Sequence, residues 1–387
     1  MRKTFLFFVG WLVFLCACHQ KDTPNPDHSG LFIKFFGGAK NGSGFSVKES
    51  GDGGYIIVGS VIEDNQTDKD LYLVKTDANG NKIWDNTYSG VNNQEGLDVT
   101  VDNAGNYLVA GYTTAANDST NCLVLQYTNT GVLLKTFISG QSNVNERAHF
   151  IRVTSDGNIL VAGSQQLQGS SSGQLSMFIL KTNLDTLIWQ KSIGLNALYN
   201  AIGTIVETPA KNLLFCGTVN RGNETDVRIS MTDPLGNLRW DYSIGENDGI
   251  SERGMQLQAT LDGNYIIGGT QKVGSDSSAL LIKIDSLGNA LWATQPGGAG
   301  KAVYSVFPTT DGGYILAGTA SNNYLLMKTD DKGNEGWEQH YGGGESDQAN
   351  KVIQTSDGGY LMIGTVYVAN HTVLGLMKTN SSGKLNP

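Results

Sequence analysis

Short apolar stretches closed by glycine recur along the chain, and one pattern of seven residues occurs seven times. Its first copy, residues 53–59, reads Gly-Gly-Tyr-Ile-Ile-Val-Gly, and its β-branched and aromatic residues are typical of a buried strand. The closing glycines lie 46 to 54 residues apart, at Gly59, Gly111, Gly163, Gly217, Gly269, Gly318 and Gly364. A strand-rich repeat of about 50 residues predicts a β-propeller or a solenoid.

Each repeat divides into four predicted strands. In the second repeat these are residues 96–101, 106–112, 121–127 and 132–139, separated by turns that contain glycine and asparagine. Four antiparallel strands joined by hairpins make one propeller blade. The sequence therefore predicts an all-β fold over residues 31–387, a seven-bladed β-propeller of four-stranded antiparallel blades.

The turn between the third and fourth strands carries a marker for packing between blades. Four repeats have Asp-x-x-Gly there, a turn in which the aspartate binds backbone N–H groups and the glycine takes a positive φ. A tryptophan follows each of these glycines by four residues, and a fifth follows the glycine-free turn 183–186. One large ring per blade can fill the gap between blades, a role we assign to Trp84, Trp189, Trp240, Trp292 and Trp337. In the second repeat Leu134 is expected at this place, and the alternative use of such rings is an exposed platform for sugars.

The spacing Asp-x-x-Gly-x-x-x-Trp resembles the tryptophan-docking motif of pyrroloquinoline-quinone dehydrogenases and related quinoprotein-like propellers, with a turn shorter by one residue. The whole repeat, Asp-Gly-Gly-Tyr followed by an apolar strand and Leu-x-Lys-Thr-Asp, is similar to uncharacterised propeller repeats of Bacteroidetes surface lipoproteins and secreted proteins. This resemblance covers about residues 31–387 and implies the fold. It implies little about function, because function resides in sites built on a fold.

The last repeat has only three strand-like stretches, and residues 31–38 before the first repeat have the pattern of the missing fourth. Aligning Gly37-Gly38 with Ser89-Gly90 puts Phe32 at the tryptophan position and Phe36 at the position of Tyr88. We therefore predict that the N-terminal strand closes the last blade and covers an edge that would otherwise be open.

The first residues have the form of a secretion signal, in which Arg2 and Lys3 precede an apolar run. Residues 15–18, Leu-Cys-Ala-Cys, resemble the bacterial lipobox, in which cleavage precedes a cysteine that becomes lipidated. The resemblance implies a lipoprotein signal peptide at residues 1–17, lipidation of Cys18 and a tether at residues 18–30. We expect a protein of the bacterial cell envelope, lipid-anchored at the outer membrane or cell surface. An ordinary secretory signal is the alternative.

Composition and motifs narrow the function classes. A formal net charge of −9 opposes binding to nucleic acid or to an anionic bilayer, so the lipid anchor is the only membrane contact that we expect. Cys122 and Cys216 fall in apolar strands and show no zinc-site or disulfide spacing. No glycine-rich phosphate loop occurs, and no serine is singled out as a nucleophile. The sequence predicts no catalytic residue, no cofactor and no metal site, although acidic connections could hold a cation: Glu95, Glu146, Asp248, Glu252, Glu345 and Asp347. Pairing of Glu146 with Arg147 and of Glu252 with Arg253 is the alternative use of such carboxylates.

The two faces of the predicted ring differ in regularity. The hairpin face carries the turns between strands one and two and between strands three and four, which are nearly identical in every blade. The variable face carries the loops between strands two and three and the blade-to-blade connections, which differ freely. We place the ligand site on the variable face, with the candidate residues Tyr112, Gln165, Gln166, Arg221, Asn223, Lys272 and Tyr324.

The leading functional hypothesis is a monomeric, non-catalytic binding or scaffolding module for a glycan, a peptide or an envelope protein. The alternative is an enzyme or enzyme accessory, either a quinoprotein-like redox protein or a component of polysaccharide degradation. A structural role in envelope assembly is a third hypothesis. A cofactor-shaped axial pocket with a cation and a planar aromatic ring would favour redox chemistry, and a broad aromatic groove would favour a glycan.

Overall fold

The structure is a computed structural model that describes residues 30–38, 41–63, 66–141, 144–167, 175–193, 198–245 and 249–385. Within these ranges the backbone forms 28 strands and no helix, and therefore no helix that could cross a membrane. The strands make seven antiparallel sheets of four strands each. This arrangement confirms the predicted all-β, seven-bladed propeller.

The first strand, β1 (Phe32–Phe36), belongs to the last blade, and the first three blades follow it along the chain. Blade 1 contains β2 (Asn41–Glu49), β3 (Tyr55–Ile62), β4 (Lys69–Thr76) and β5 (Lys82–Tyr88). Blade 2 contains β6 (Gln94–Val101), β7 (Tyr107–Thr114), β8 (Thr120–Tyr127) and β9 (Leu133–Ser139). Blade 3 contains β10 (Val144–Val153), β11 (Ile159–Leu167), β12 (Ser176–Thr182) and β13 (Leu187–Ile193).

The last four blades continue in the same way. Blade 4 contains β14 (Leu198–Glu207), β15 (Leu213–Asn220), β16 (Thr225–Thr232) and β17 (Leu238–Ile244). Blade 5 contains β18 (Ile250–Ala259), β19 (Tyr265–Val273), β20 (Asp276–Ile284) and β21 (Ala290–Thr294). Blade 6 contains β22 (Lys301–Pro308), β23 (Tyr314–Ala320), β24 (Asn323–Thr329) and β25 (Glu335–Tyr341). Blade 7 contains β26 (Gln348–Gln354), β27 (Tyr360–Val368), β28 (His371–Thr379) and β1.

The ring closes through β1, as the sequence predicted. In this strand Phe32 lies opposite Lys378 of β28, just as Trp84 lies opposite Lys75 in blade 1. Phe36 lies opposite Leu374, is 7% exposed and packs in an apolar cluster that contains residues of blades 7 and 1. The N-terminal strand therefore supplies both the fourth strand of blade 7 and part of its contact with blade 1.

On the inner side of the ring, backbone N–H groups are hydrogen-bonded across blades. The first strand of each blade has an irregular register near its middle. The side chain beside this irregularity accepts the N–H of the next blade's first strand in several places. Ile151 N donates to Asp98 Oδ2 at 3.1 Å. Val306 N donates to Gln256 Oε1 at 3.1 Å, and Val352 N donates to Ser305 Oγ at 3.1 Å.

On the outer side, an aromatic ring of one blade covers a turn glycine of the next. The Trp337 ring lies where a side chain at Gly383 would begin, since an added Cβ there would come within 2.4 Å of it. The same ring lies 5.9 Å from the Tyr360 ring, and at the seam Phe32 covers Gly80 in the same manner. These glycines have φ near +72°, which few other residues adopt. The remaining tryptophans lie against glycines of the following blade in the pairs Trp84–Gly131, Trp189–Gly236, Trp240–Gly288 and Trp292–Gly333.

The contact between blades 2 and 3 is different, and the expectation for Leu134 is wrong. Lys135, not Leu134, lies opposite Gln126 at the place that Trp84 takes in blade 1, because the fourth strand of blade 2 keeps the common register. The Leu134 side chain is 49% exposed. Lys135 Nζ instead forms an ion pair at 2.7 Å with Asp185, which lies in the glycine-free turn of blade 3. Where the ring is missing, the glycine that would receive it is missing too.

The hairpin face is held by a lysine–aspartate pair inside most blades. Lys75 of the third strand is buried, and its Nζ lies 2.9 Å from Asp52 in the first turn. Burial opposes ionisation of Asp52, but hydrogen bonds from Ser50, Lys75 and Gly54 outweigh it and lower its pKa to about 2. The equivalent pairs are Lys181–Asp156, Lys283–Asp262, Lys328–Asp311 and Lys378–Asp357. The aspartate of the repeated Asp-Gly-Gly sequence and the lysine of Leu-x-Lys-Thr therefore stabilise the turns of the hairpin face by pairing with each other.

A pair of neighbouring phenylalanines tests the closure of the ring. Phe36→Ala should lower the free energy of unfolding by about 3–5 kcal/mol, because it opens a cavity in the core at the seam. Phe35→Ala, in the same strand but with the side chain 53% exposed, should change it by about 0.5 kcal/mol or less. Chemical denaturation of both variants measures the difference, and equal effects would mean that β1 does not dock on β28.

Candidate functional site

Antiparallel order places the loops of each blade on two opposite faces. The turns between strands one and two and between strands three and four leave at one end of every sheet, and they repeat the same backbone hydrogen bonds, for example Gly53 N to Ser50 O at 2.9 Å and Gly80 N to Asp77 O at 3.1 Å. The loops between strands two and three leave at the other end, the variable face. The hairpin face thus uses its polar side chains to build turns, whereas the loops between strands two and three differ in length from blade to blade.

The variable face contains a cavity of about 470 Å³ at blades 4, 5 and 6, which we name the variable-face cavity. It reaches from the loop after β15 to the irregular part of the first strands β18 and β22. Its lining residues are mostly small and polar: Asn220, Gly222, Asn223, Glu224, Thr225, Ser251, Arg253, Met255, Thr270, Lys272, Ser277, Ala302 and Tyr304. A concave site with a few convergent polar groups is the usual form of a small-molecule site.

Two cations and an aromatic ring face this cavity. The Arg253 and Lys272 side chains are exposed, and among the described residues neither has a hydrogen bond or an ion pair. Tyr304 is half-buried beside Arg253; burial raises the pKa of its phenol, and the positive charge of Arg253 opposes that rise. These side chains are therefore available to a ligand at no cost to existing contacts.

One carboxylate belongs to the same cavity. Glu224 is 7% exposed, and its Oε2 accepts the backbone N–H of Gly249 at 2.8 Å. Its other oxygen, Oε1, is buried without a hydrogen-bond partner in the described structure. An unsatisfied buried acceptor is costly, but this oxygen has almost no accessible surface, so a ligand in the cavity reaches it only if the Glu224 side chain moves.

The structure brings together only some of the seven candidate residues from the sequence. Asn223 and Lys272 line the variable-face cavity. Arg221 stands between two lining residues, but its side chain turns to Asp226, with Nε 2.5 Å from Oδ2. Gln166 lies near the end of β11, the second strand of blade 3, and does not line this cavity.

Three other candidates are buried in contacts between or within blades. Tyr324 is 1% exposed and its hydroxyl donates to the Gly375 carbonyl at 3.1 Å, which places it in the core of blades 6 and 7. Tyr112 is 5% exposed, and the Arg147 guanidinium lies 4.4 Å from its ring centroid. Burial, and next the charge of Glu95, raise the pKa of Tyr112 to about 12. Gln165 is 8% exposed and donates from Nε2 to Ser192 Oγ at 2.7 Å.

Arg253 was not among the predicted site residues, and an ion pair with Glu252 was offered only as an alternative. Adjacent residues of a strand point to opposite faces, so Glu252 accepts a hydrogen bond from Gln271 at 3.2 Å while Arg253 faces the cavity. The same alternation separates Glu146, which accepts from Gln190 at 2.8 Å, from Arg147. Strand alternation was the available signal.

The acidic connections do not converge in the described structure. Glu95 pairs with Lys69, and Asp347 accepts the backbone N–H of Tyr367 at 2.8 Å. Asp248 lies outside the described residues. Among the described residues, no group of three or more histidine, cysteine, aspartate or glutamate side chains is placed to hold a metal ion. Cys122 and Cys216 are both buried free thiols.

Comparison with known proteins identifies the fold. The chain matches no protein-family model and no curated protein sequence. A protein of unknown function from Dyadobacter fermentans is similar in structure, with a TM-score of 0.54 and 12% identity over 89% of this chain and 98% of that one. Sqt1 from Chaetomium thermophilum gives a TM-score of 0.51 and 10% identity over 90% and 97% of the two chains. An α-L-arabinofuranosidase from Fusarium graminearum gives 0.49 and 10% over 91% and 97%. The first two similarities, with TM-scores above 0.5, show that the chain shares its fold with these proteins and nothing about its function.

Proposed function

We propose that the protein is a lipid-anchored, non-catalytic binding module of the bacterial cell envelope and that it holds a glycan in the variable-face cavity. The observation that carries this proposal is the group of uncommitted polar side chains around one concavity. Arg253 and Lys272 have no partner among the described residues, and Glu224 Oε1 has no donor. The Asn223 amide and the Ser277 hydroxyl complete a lining that matches the many hydroxyl groups of a sugar.

An aromatic ring beside these polar groups favours a glycan over a purely ionic ligand. The half-buried Tyr304 ring offers an apolar surface against which the C–H groups of a sugar can pack, with its hydroxyl as a polar handle. The volume of about 470 Å³ lies within the range of small-molecule sites and accommodates a mono- or disaccharide.

The carboxylate count in this cavity supports binding without hydrolysis. Most glycoside hydrolases use two carboxylates that flank the glycosidic bond. Among the described lining residues Glu224 is the only carboxylate, and its Oε2 is committed to the Gly249 backbone. The proposal therefore assigns Glu224 no acid–base role.

The point where the chain enters the ring supports an outward-facing ligand site. Phe32 begins β1 opposite Lys378, next to the end of β28 on the hairpin face. Gly30 also lies at this face, because a Cβ added to it would be 3.9 Å from Asp357 Oδ2. The predicted lipid at Cys18 and tether 18–30 thus join the face opposite the variable-face cavity; residues 1–29 lie outside the described structure.

Glycan binding can be tested on the Cys18→Ser protein, which lacks the proposed lipid anchor and keeps the whole ring. A glycan array and titration calorimetry should find a saccharide whose affinity falls about tenfold or more in Arg253→Ala or Tyr304→Leu, with nearly unchanged melting temperature. Arg239→Ala, an exposed arginine on the outermost strand of blade 4, is the matched control and should bind normally. Binding that survives both cavity variants would place the site elsewhere, and turnover of the glycan would contradict a non-catalytic role.

Lipidation has its own test. In the native host, mass spectrometry of the mature protein should find acyl chains on Cys18, and Cys18→Ser should move the protein from the membrane fraction to the soluble fraction. The reason is that several acyl chains give stable anchoring, whereas the acidic ring has little affinity for an anionic bilayer. A mature N-terminus that starts at another residue and carries no lipid would contradict the anchor.

A further inference from the structure

A second cavity lies on the axis of the ring and opens on the hairpin face. This axial cavity has a volume of about 540 Å³ and is bounded by innermost strands of six blades. It reaches the surface beside Asn103 and Ser155, which belong to first turns of blades 2 and 3. The charged and amide side chains that the innermost strands contribute are Lys48, Asp98, Arg152, Glu207, Gln258 and Lys351.

Cations outnumber carboxylates in the axial cavity, and both carboxylates are already engaged. Asp98 accepts Ser46 Oγ at 2.6 Å through Oδ1 and a backbone N–H through Oδ2. Glu207 accepts the backbone N–H of Ser155 at 2.8 Å and its hydroxyl at 3.0 Å. Among the described residues, the three cations Lys48, Arg152 and Lys351 have neither a hydrogen bond nor an ion pair.

This situation differs from that of the lysines on the third strands. Lys75 and Lys378 are the most deeply buried lysines among the described residues, and each forms an ion pair with an aspartate at 2.9 Å. Lys351 is 9% exposed and reaches none. A buried cation without a partner is costly, and the fold elsewhere avoids that cost.

The electrostatics of the axial cavity agree with this geometry. Burial, and next the charges of Lys351 and Arg152, lower the pKa of Lys48 to about 8, although the charge of Asp98 opposes the shift. Burial likewise lowers the pKa of Lys351, against the charge of Asp98. The cavity is therefore a locally positive enclosure inside a chain of net charge −9.

We propose that the axial cavity binds a small oxyanion, a carboxylate or phosphate carried by a sugar-sized molecule, between Lys48, Arg152 and Lys351. Charge-assisted hydrogen bonds to an oxyanion supply the partners that these cations lack. Neutral groups of Thr100, Asn103 and Gln258 line the rest of the space and suit hydroxyl groups of the same ligand. This site is separate from the variable-face cavity and does not depend on the function proposed for it.

The first experiment compares charged and neutral probes of one size. Titration calorimetry on the soluble Cys18→Ser protein that also carries Arg253→Ala, which disables the variable-face cavity, should detect D-glucuronate and inorganic phosphate, and should detect no binding of D-glucose. Lys351→Met should weaken both anions about tenfold or more, since a hydrogen bond to a charged group is lost. The unliganded melting temperature of Lys351→Met should stay equal or rise, because a repulsive buried charge has gone.

Two variants provide matched controls. Lys332→Met removes an exposed lysine of the hairpin face that does not line the axial cavity, and it should bind both anions normally. Arg253→Ala should also leave anion binding unchanged, so that failure of this proposal and failure of the glycan proposal remain distinguishable.

The pH dependence gives a second, independent readout. Glucuronate keeps its single charge from about pH 6 to about pH 10, so a change in its affinity over that range reports on the protein. Because the anion favours protonated Lys48, the affinity should be constant below pH 8 and fall as pH rises through 8. Lys48→Gln should abolish this decline. Glucose binding as tight as glucuronate binding, equal anion affinity in wild type and Lys351→Met, or no anion binding at millimolar concentration would each overturn the proposal.

Discussion

The structure depends on one contact between neighbouring blades, in which an aromatic ring of the outermost strand lies on a turn that has no side chain in the way. In blade 6 this ring is Trp337, and the turn residue is Gly383 of blade 7. Glycine meets two demands there, since its φ of +72° suits no bulky residue and its missing Cβ makes room for the ring. Where blade 2 has Lys135 in place of the ring, an exposed ion pair with Asp185 replaces the contact; such a pair contributes about 0–1 kcal/mol.

As a result of this contact, the two faces of the ring have different roles. On the hairpin face, some turns contact the aromatic rings and others pair an aspartate with a buried lysine such as Lys75. The polar side chains of that face are therefore already engaged in structural contacts. The variable face has no such duty, and Arg253 and Glu224 keep unsatisfied groups there. The axis is the other place where the repeat forms no lysine–aspartate pair among the described residues, because each blade contributes only its first strand there. Both cavities arise where the repeated contacts stop.

Much of the fold could be predicted from the sequence because the same strand and turn pattern occurs seven times. Phe32 could be placed in the last blade because it precedes Gly37-Gly38 by the same number of residues as Trp84 precedes Ser89-Gly90. Leu134 was misplaced because the fourth strand of the second repeat was taken to be one residue shorter, whereas the common spacing of four residues after the turn glycine Gly131 leads to Lys135, and the structure keeps that spacing. Tyr324 and Tyr112 were assigned to ligand binding from their loop positions, but burial depends on packing against the next blade. The axial lysines were missed because residues from several blades meet only in the closed ring.

The central claim is that a ring–glycine contact couples each blade to the next, and a double-mutant cycle in blades 6 and 7 tests it most directly. Gly383→Ala and Gly358→Ala introduce the same methyl group at φ values of +72° and +82°, but only Gly383 has the Trp337 ring in the way. Both should cost about 1–2 kcal/mol of unfolding free energy for backbone strain, and Gly383→Ala should cost about 1–3 kcal/mol more for the clash. In a Trp337→Leu background this excess should disappear. An excess that persists without the ring, or no excess in the wild type, would contradict the account.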